Sequence, residues 1–335
     1  MNILLIQLRR IGDLILTTPA IAALRTKFPD ARISLAVASD CEELLPAIAG
    51  IDQALVVNSA RSWLKIARGK FDYCVDFTRN DRSAFLTRLS RARSRITRER
   101  RKQRSTIRAS AYNQFVVAPA RQQHTIDSYL RLLEPLEVRD ASLEIQFNLP
   151  SEARAAADRL RAIHKIDNRY IIFHPGSARA EKFWEAQRWA KLIEHAGANH
   201  DVDLVLTGGN SAFEQNHLRE IKSNLRREVV DLSGKTDLLT LAALIEQAQL
   251  LVTVDSAPMH LAAATRTRQV ALFGPTNPFH WRPRDSAALI LQGASTSPLR
   301  EFSPDQPRVP MNHISTEAVI DAMDALLSTP AAQGS

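Results

Sequence analysis

The chain begins with MNILLIQLRRIGDLILTTPA, residues 1–20, in which a short apolar run is followed by a helix-like pattern. Its apolar run Ile3–Ile6 has the length of a buried strand, and the periodicity of Asp13–Phe28 predicts a helix directly after it. Further strands are predicted at Ile33–Val37 and Tyr73–Phe77. Strands that alternate with helix-length amphipathic segments are typical of βαβ units around a parallel sheet.

A second series of the same kind starts after Leu149-Pro150-Ser151-Glu152, which ends one segment and begins a new helix. Its predicted strands are Tyr170–His174, Asp203–Leu206, Val229–Val230, Leu250–Val254 and Gln269–Phe273. We therefore expect an α/β protein of two doubly wound domains, residues 1–160 and 161–335. In such sheets ligands bind beyond the carboxyl ends of the strands, so two facing domains would place a cleft between those ends.

Length and composition agree with this reading. The chain has 335 residues, enough for two domains of roughly 150 residues each, with 45% hydrophobic and 24% charged residues. No apolar stretch approaches the ~18 residues that would span a bilayer, and no basic segment precedes the first apolar run. Two cysteines, Cys41 and Cys74, are too few for a disulfide framework or a zinc site. We expect a soluble, cytosolic protein.

The net charge of +8 is concentrated in one segment. Residues 82–108 contain eleven basic side chains and a single acid, Glu99. The basic residues are Arg82, Arg88, Arg91, Arg93, Arg95, Arg98, Arg100, Arg101, Lys102, Arg104 and Arg108. Such a segment attracts nucleic acid, an anionic membrane or a phosphorylated glycolipid, although a solvated basic helix and loop is the simpler interpretation. Phe85 is its only aromatic residue, which disfavours stacking on nucleic acid bases.

The first turn between strand and helix contains one glycine, Gly12. It lacks both the G-x-G-x-x-G fingerprint and the Walker A pattern, which argues against a nicotinamide-dependent dehydrogenase and a P-loop NTPase. Asp13 follows this glycine at the carboxyl end of a strand. It fits the N-cap of a helix, and it also stands where a carboxylate could act as a general base.

The second domain has two loops suited to phosphate. His174–Lys182 offers Gly176, Ser177, Arg179 and Lys182 after a strand, and Val254–His260 joins a strand to a helix. Pro258 suits a first helical turn, whose N–H groups bind anions. Between these loops, Thr207–Asn210 ends another strand and Glu214 follows, where a carboxylate could accept hydrogen bonds from ribose or merely stabilise a helix dipole. Two such loops in one sheet predict a nucleotide diphosphate ligand.

Several blocks of the sequence resemble the ADP-heptose:lipopolysaccharide heptosyltransferases, glycosyltransferase family 9. The similar blocks run in order from residue 3 to about residue 327. They are residues 3–19, His174–Ser177 with Lys182–Trp184, Asp231–Thr236, Asp255–Ala264 and Leu272–Pro278. The form Asp255-Ser256-Ala257-Pro258 and the later Phe279–Pro283 resemble the heptosyltransferase III branch most.

The resemblance implies a GT-B fold and an inverting transfer of heptose from ADP-heptose. It also implies the lack of a DxD metal motif, so we expect neither a metal nor a cofactor. Asp13 would be the catalytic base, and Lys182 would hold the pyrophosphate of the leaving ADP. The implied donor-binding residues are Gly176, Ser177, Glu214, Asp255, Ser256, Ala257 and His260. Many members have Asp-Thr-Gly where this chain has Asp255-Ser256-Ala257, so a methyl group stands near the donor.

The resemblance also implies an anionic acceptor, the inner core of lipopolysaccharide, presented at the cytoplasmic face of the inner membrane. We expect the basic segment 82–108, with Arg61, Lys65 and Arg82, to bind it, and we do not expect a nucleic acid partner. The expected location is the cytoplasm, with a transient peripheral contact at the inner membrane. The alternatives are a GT-B glycosyltransferase or epimerase with another nucleotide sugar, and a non-catalytic scaffold.

Overall fold

The structure is a computed structural model that describes residues 1–99, 106–119, 121–167, 169–284 and 286–329. It divides into two compact units, Met1–Asn148 and the chain from Leu149 onward. The helix Ser151–His164 packs on Leu238–Gln247 in the second unit, and Arg154 forms an ion pair with Glu246 at 2.7 Å. The division therefore lies before the predicted boundary between residues 160 and 161, which would cut this helix.

The first unit is built on a parallel sheet, and its described strands are six in number. They are β1 (Asn2–Gln7), β2 (Arg32–Val37), β3 (Gln53–Val56), β4 (Tyr73–Asp76), β5 (Ser94–Arg98) and β6 (Gln114–Val116). Their order in the sheet is β3-β2-β1-β4-β5-β6, the doubly wound order. Residues Ile3–Ile6 of the central β1 have no exposed surface, because helices cover both faces of the sheet.

The helices of the first unit are α1 (Ile11–Ile15), α2 (Thr18–Lys27), α3 (Ala60–Arg68), α4 (Asp81–Leu89), α5 (Thr106–Ala109) and α6 (Thr125–Arg131). The single helix predicted over Asp13–Phe28 is thus two helices. Pro19 cannot donate a backbone hydrogen bond to the carbonyl of Ile15, and the hydroxyl of Thr18 donates to that carbonyl instead, at 2.8 Å. This break ends α1 one turn after it begins.

The second unit repeats the plan with the described strands β7 (Tyr170–His174), β8 (Asp203–Leu206), β9 (Val230–Asp231), β10 (Leu250–Val254), β11 (Gln269–Phe273) and β12 (Ala288–Gln292). All pair in parallel in the order β12-β11-β10-β7-β8-β9, which is the order of the first sheet read from its other edge. The prediction of two doubly wound α/β domains is confirmed.

The helices of the second unit are α7 (Ser151–His164), α8 (Ala186–Asn199), α9 (Ala212–Ser223), α10 (Leu238–Gln247), α11 (Ala257–Ala264), α12 (Pro278–Trp281) and α13 (Thr316–Ser328). Trp184 and Trp189 are fully buried with their rings edge to face at 5.4 Å, and α13 packs beside them on α8. Among the described residues, no helix is both long enough and apolar enough to cross a membrane.

Candidate active site

Each sheet has a switch point, where strands are added on opposite sides of the first strand of its unit. In the first unit it lies between β1 and β4, and in the second between β7 and β10. Loops diverge from the carboxyl ends of such strand pairs, which makes these positions the usual ligand sites of open α/β sheets. Asp13 follows β1, while Lys182 and Asp255 lie in the loops that follow β7 and β10.

Asp13 lies inside the short helix α1 and does not cap it. The N-cap is Arg10, which makes no side-chain capping bond, and Asp13 is only 8% exposed. Its Oδ1 accepts a hydrogen bond from the hydroxyl of Tyr129 in α6, at 2.5 Å, and lies 3.8 Å from the Arg9 guanidinium. The interpretation of Asp13 as an N-cap is therefore wrong, and its carboxylate interacts with side chains instead.

The electrostatics at Asp13 favour a carboxyl that can take up a proton. Burial raises its pKa above the ordinary value, and Arg9, the Tyr129 hydrogen bond, Arg98 and Arg10 oppose that rise. Burial and the charge of Asp13 raise the pKa of the Tyr129 phenol well above its usual range. Tyr129 therefore stays protonated, and its hydroxyl donates a hydrogen bond to the carboxylate. A carboxyl whose pKa is raised toward neutrality is suited to general base catalysis.

Sequence analysis does not identify Tyr129 as a functional residue. It lies 116 positions from Asp13 and its ring packs edge to face on Phe77, at 5.3 Å. Arg98, which ends β5, is half-buried next to these groups. Burial lowers the pKa of its guanidinium, and the neighbouring Tyr129 and Asp13 oppose that change only in part. In the sequence Arg98 is one of eleven basic residues of one segment, and nothing there distinguishes it from the others.

The described basic residues of the segment 82–108 do not all have the same surroundings. Arg100, Arg101, Lys102 and Arg104 lie outside the described residues. The guanidinium of Arg82 donates to the carbonyl of Val57, Arg95 donates to the carbonyls of Ala111 and Ala92, and Arg108 pairs with Asp81. The side chains of Arg88, Arg91 and Arg93 are exposed. The described arginines therefore divide between structural contacts and open surface.

Arg61 and Lys65 lie on α3, and the structure does not bring them to Asp13. They line a cavity of about 450 Å³ together with Arg32, Arg68 and the polar side chains of Asn2, Ser34 and Gln53. Asn2, Arg32 and Gln53 begin β1, β2 and β3, so this cavity lies toward the amino ends of the strands, whereas Asp13 follows a carboxyl end. Among the described residues, four cations and no acid line it, which makes it attractive to an anion.

In the second unit, the two loops predicted to bind phosphate meet. Lys182 Nζ lies 2.6 Å from a carboxylate oxygen of Asp255 and 2.9 Å from its carbonyl oxygen. Both side chains are close to buried, with 12% and 8% exposed. The structure thus brings together a lysine and an aspartate that are 73 positions apart in the chain. A buried pair of this kind holds the ammonium group in place at the end of β10.

Glu214, in the first turn of α9, lies against two glycines. Its Oε1 accepts a hydrogen bond from the N–H of Gly209 at 2.8 Å, and its Oε2 accepts one from the Ser211 hydroxyl at 3.3 Å. A Cβ atom on Gly176 would lie only 1.7 Å from Oε1, so only glycine allows this approach. Gly176 and Glu214, both predicted in the donor site, are therefore direct neighbours.

Two buried histidines accompany these groups. His174 ends β7, with its Nδ1 2.9 Å from the hydroxyl of Thr207 and its Nε2 4.0 Å from Glu214. His260 in α11 has no hydrogen-bond partner at Nδ1 among the described residues. Burial lowers the pKa of each to about 4, and for His260 the carboxylate of Asp255 opposes this. Both imidazoles are therefore neutral near pH 7, and His260 can still make a hydrogen bond.

The remaining predicted donor residues surround the start of α11 and the loop after β7. Ser256 is the N-cap of α11, but its hydroxyl faces the carbonyl of Val254 at 3.3 Å and does not cap the helix. Ala257 begins α11, whose first N–H groups have no partner within the helix. The Ser177 hydroxyl accepts a hydrogen bond from the N–H of Arg179 at 3.3 Å. Backbone N–H groups and hydroxyls of this kind bind phosphate oxygens.

One group of described side chains could hold a metal ion, and it lies apart from these loops. It consists of His195, His200 and Asp324, on α8, directly after α8 and on α13. The groups at the switch points do not form such a cluster within the part of the chain that the structure describes.

Comparison with known proteins identifies the family of the chain. The sequence profile of glycosyltransferase family 9 (heptosyltransferase) matches residues 60–307. The Escherichia coli protein lipopolysaccharide heptosyltransferase 3 is 29% identical over 285 residues, which cover 81% of this chain and 83% of that protein. It is one of several heptosyltransferases with similar sequences.

Solved structures share the fold over nearly the whole chain. A family 9 glycosyl transferase from Veillonella parvula superposes with a TM-score of 0.83 at 25% identity, covering 97% of both chains. The E. coli heptosyltransferase WaaC, solved with ADP-2-deoxy-2-fluoro heptose, superposes with a TM-score of 0.72 at 18% identity, covering 97% of this chain and 99% of that one. The chain therefore belongs to glycosyltransferase family 9, the heptosyltransferase family, as the sequence resemblance predicted.

Proposed function

We propose that this enzyme transfers heptose from ADP-heptose to the inner core of lipopolysaccharide, with inversion at the anomeric carbon. The observation that carries the proposal is the pairing of Lys182 with Asp255 at the second switch point, beside the first turn of α11. A cation and free backbone N–H groups at the carboxyl ends of two adjacent strands suit a diphosphate. The WaaC complex with an ADP-heptose analogue supports ADP-heptose as the donor.

In this proposal each unit has its own chemical task. In the first unit, the Asp13 carboxylate accepts the proton of the acceptor hydroxyl as that oxygen attacks the anomeric carbon. In the second unit, the Lys182 ammonium and the N–H groups at the start of α11 stabilise the negative charge that develops on the departing ADP. Glu214 accepts hydrogen bonds from the ribose hydroxyls, and neutral His260 offers Nδ1 to the donor.

We also propose that the acceptor is anionic and that the first unit binds it. The positive charge comes from the cations around the cavity of Arg61 and Lys65 and from three exposed arginines, Arg88, Arg91 and Arg93. The guanidinium groups of Arg82 and Arg95 donate to backbone carbonyls instead. Phosphates and carboxylates of a lipopolysaccharide core complement this charge. Because that acceptor is a lipid, the enzyme acts at the cytoplasmic face of the inner membrane, in peripheral contact with it.

The test is ADP release from ADP-heptose with a deep-truncated lipopolysaccharide acceptor, comparing the unaltered enzyme with Asp13→Asn. The amide keeps the shape of the side chain and cannot take up a proton, so we expect kcat to fall by about 10²–10⁴-fold with nucleotide binding retained. Asp30→Asn, an exposed aspartate of the same unit, is the matched control and keeps full activity. Undiminished turnover by Asp13→Asn would remove Asp13 from the mechanism.

The competing assignment is a family member that uses another nucleotide sugar, or an epimerase. Incubation with UDP-sugars in place of ADP-heptose, followed by product analysis, separates these activities. Transfer from a UDP-sugar but not from ADP-heptose would overturn the donor assignment. The roles of Asp13 and Lys182 would then be tested with variants of these residues and the UDP-sugar as donor.

A further inference from the structure

Three side chains meet on the second unit, away from the loops at its switch point. His195 is near the end of α8, His200 directly follows that helix, and Asp324 is on α13. His195 Nε2 lies 2.9 Å from one carboxylate oxygen of Asp324, and His200 Nε2 lies 2.8 Å from the other. One ligand atom from each residue falls within 4.8 Å of the other two. His200 and Asp324 are 124 positions apart in the sequence.

These three groups have the composition of a transition-metal site. Two imidazole nitrogens and one carboxylate oxygen form a mixed N/O donor set, which Zn²⁺ accepts and which Ca²⁺ and Mg²⁺, with their preference for oxygen, do not. With bond lengths of about 2.0–2.2 Å, neighbouring ligand atoms on a tetrahedron lie about 3.3 Å apart. The two distances between histidine nitrogen and carboxylate oxygen, 2.9 and 2.8 Å, are a few tenths of an ångström shorter than that. The ligand atoms of all three residues lie within 4.8 Å of one another, so the three groups are already gathered around one point.

The surroundings of the cluster fit an ion that helps to hold two helices together. All three side chains are partly buried, with 28%, 22% and 35% of their surfaces exposed, which leaves an approach for the ion and room for a water as fourth ligand. The Asn199 amide lies 3.3 Å from the other ring nitrogen of His195, the kind of outer contact that orients metal-bound imidazoles. α8 and α13 already pack against each other at this place.

We propose that His195, His200 and Asp324 bind a Zn²⁺ ion that links α8 to α13. The ion has a structural task and no part in sugar transfer, so the proposal stands independently of the proposed function. Bound Zn²⁺ replaces two hydrogen bonds to one carboxylate by three metal–ligand bonds. It thereby stabilises the second unit by binding the folded chain and not the unfolded one.

The test is calorimetric titration of the tag-free, full-length protein with ZnCl₂ at about pH 7.5. We expect one saturable site, and a rise in the melting temperature when Zn²⁺ is present. His200→Ala and Asp324→Asn should each weaken binding more than about tenfold and abolish that rise. His164→Ala, a helix-borne histidine of the same unit, is the matched control and binds Zn²⁺ unchanged.

A second measurement uses only the unaltered protein. Co²⁺ in place of Zn²⁺ should give the visible absorption of a low-symmetry N/O site, which added Zn²⁺ removes by competition. The proposal is overturned by the lack of saturable Zn²⁺ binding to the unaltered protein, or by equal affinity in His200→Ala. Either result would leave the cluster as a hydrogen-bonded link between the two helices.

Discussion

The two switch points use carboxylates in opposite ways. At the first, Asp13 accepts a hydrogen bond from a phenol and lies 3.8 Å from its nearest guanidinium, and burial raises its pKa. At the second, Asp255 is in direct contact with Lys182, at 2.6 Å, and in the neighbouring helix α9 Glu214 accepts a hydrogen bond from a backbone N–H. The same sheet order therefore supports two environments, one suited to taking up a proton and one suited to holding an anion.

Position at a switch point therefore does not by itself set the chemistry of a carboxylate. What decides is the partner that the fold brings to each carboxylate. A neutral hydroxyl leaves the carboxylate basic, whereas an ammonium group compensates its charge and is itself held ready for a phosphate. Substitutions in the two units test this difference between the carboxylates. We expect effects of decreasing size from four of them.

Of these four changes, the largest effect is expected at the anion-holding loops of the second unit. Lys182→Met removes the cation that faces the leaving diphosphate, and we expect kcat for ADP release to fall by about 10²–10³-fold. The same change leaves Asp255 buried without its partner, which lowers the melting temperature. The double variant Lys182→Met/Asp255→Asn should recover that temperature and not the activity. Recovery of both would show that Lys182 acts only on stability.

The second change concerns the neutral histidines of the same unit. In the folded chain the pKa of His260 is about 4, below the ordinary value of 6.5, so its contribution to stability is complete above pH 6.5 and is lost as the pH falls toward 4. The loss at pH 5 is about 2 kcal/mol. His260→Asn should flatten the fall of the melting temperature between pH 6.5 and 4. An unchanged slope would mean that His260 does not titrate in this range.

The third change removes the hydrogen-bond partner of Asp13 and keeps the carboxylate itself. Tyr129→Phe deletes the hydrogen bond that lowers the pKa of Asp13, so that pKa rises further and the acidic limb of the kcat/KM profile moves to higher pH. We expect a loss of up to about tenfold on the acidic limb of the profile, which is recovered as the pH is raised. A loss that is equal at every pH would indicate a packing defect next to Phe77 and not an effect on the carboxyl.

The smallest effect is expected away from both switch points. Arg61→Ser/Lys65→Ser removes two of the four cations of the α3 cavity and should raise the KM of the acceptor about threefold, with the KM of the nucleotide sugar unchanged, because exposed charges act weakly in water. Arg121→Ser/Arg139→Ser makes the same change in charge elsewhere in the first unit. Equal effects of the two double variants would show that net charge alone matters.

Much of the fold follows from local sequence. Strands β7, β10 and β11 are apolar runs bounded by turn residues, and the predicted bounds Tyr170–His174, Leu250–Val254 and Gln269–Phe273 agree with the structure. Strand β5, Ser94–Arg98, is missed because only one of its five residues is aliphatic and it lies within the basic segment. It forms because β4 and β6 offer backbone partners on either side.

The alternation of strands and helices, the family, and the loops with glycine, serine and lysine after β7 and β10 can all be read from the sequence, because each depends on residues close together in the chain. The partners of the site residues are visible in the folded chain alone: Tyr129 on Asp13, Asp255 on Lys182, and Glu214 next to Gly176. These contacts join residues that sheet topology brings together, and local propensity carries no information about which distant side chains will meet.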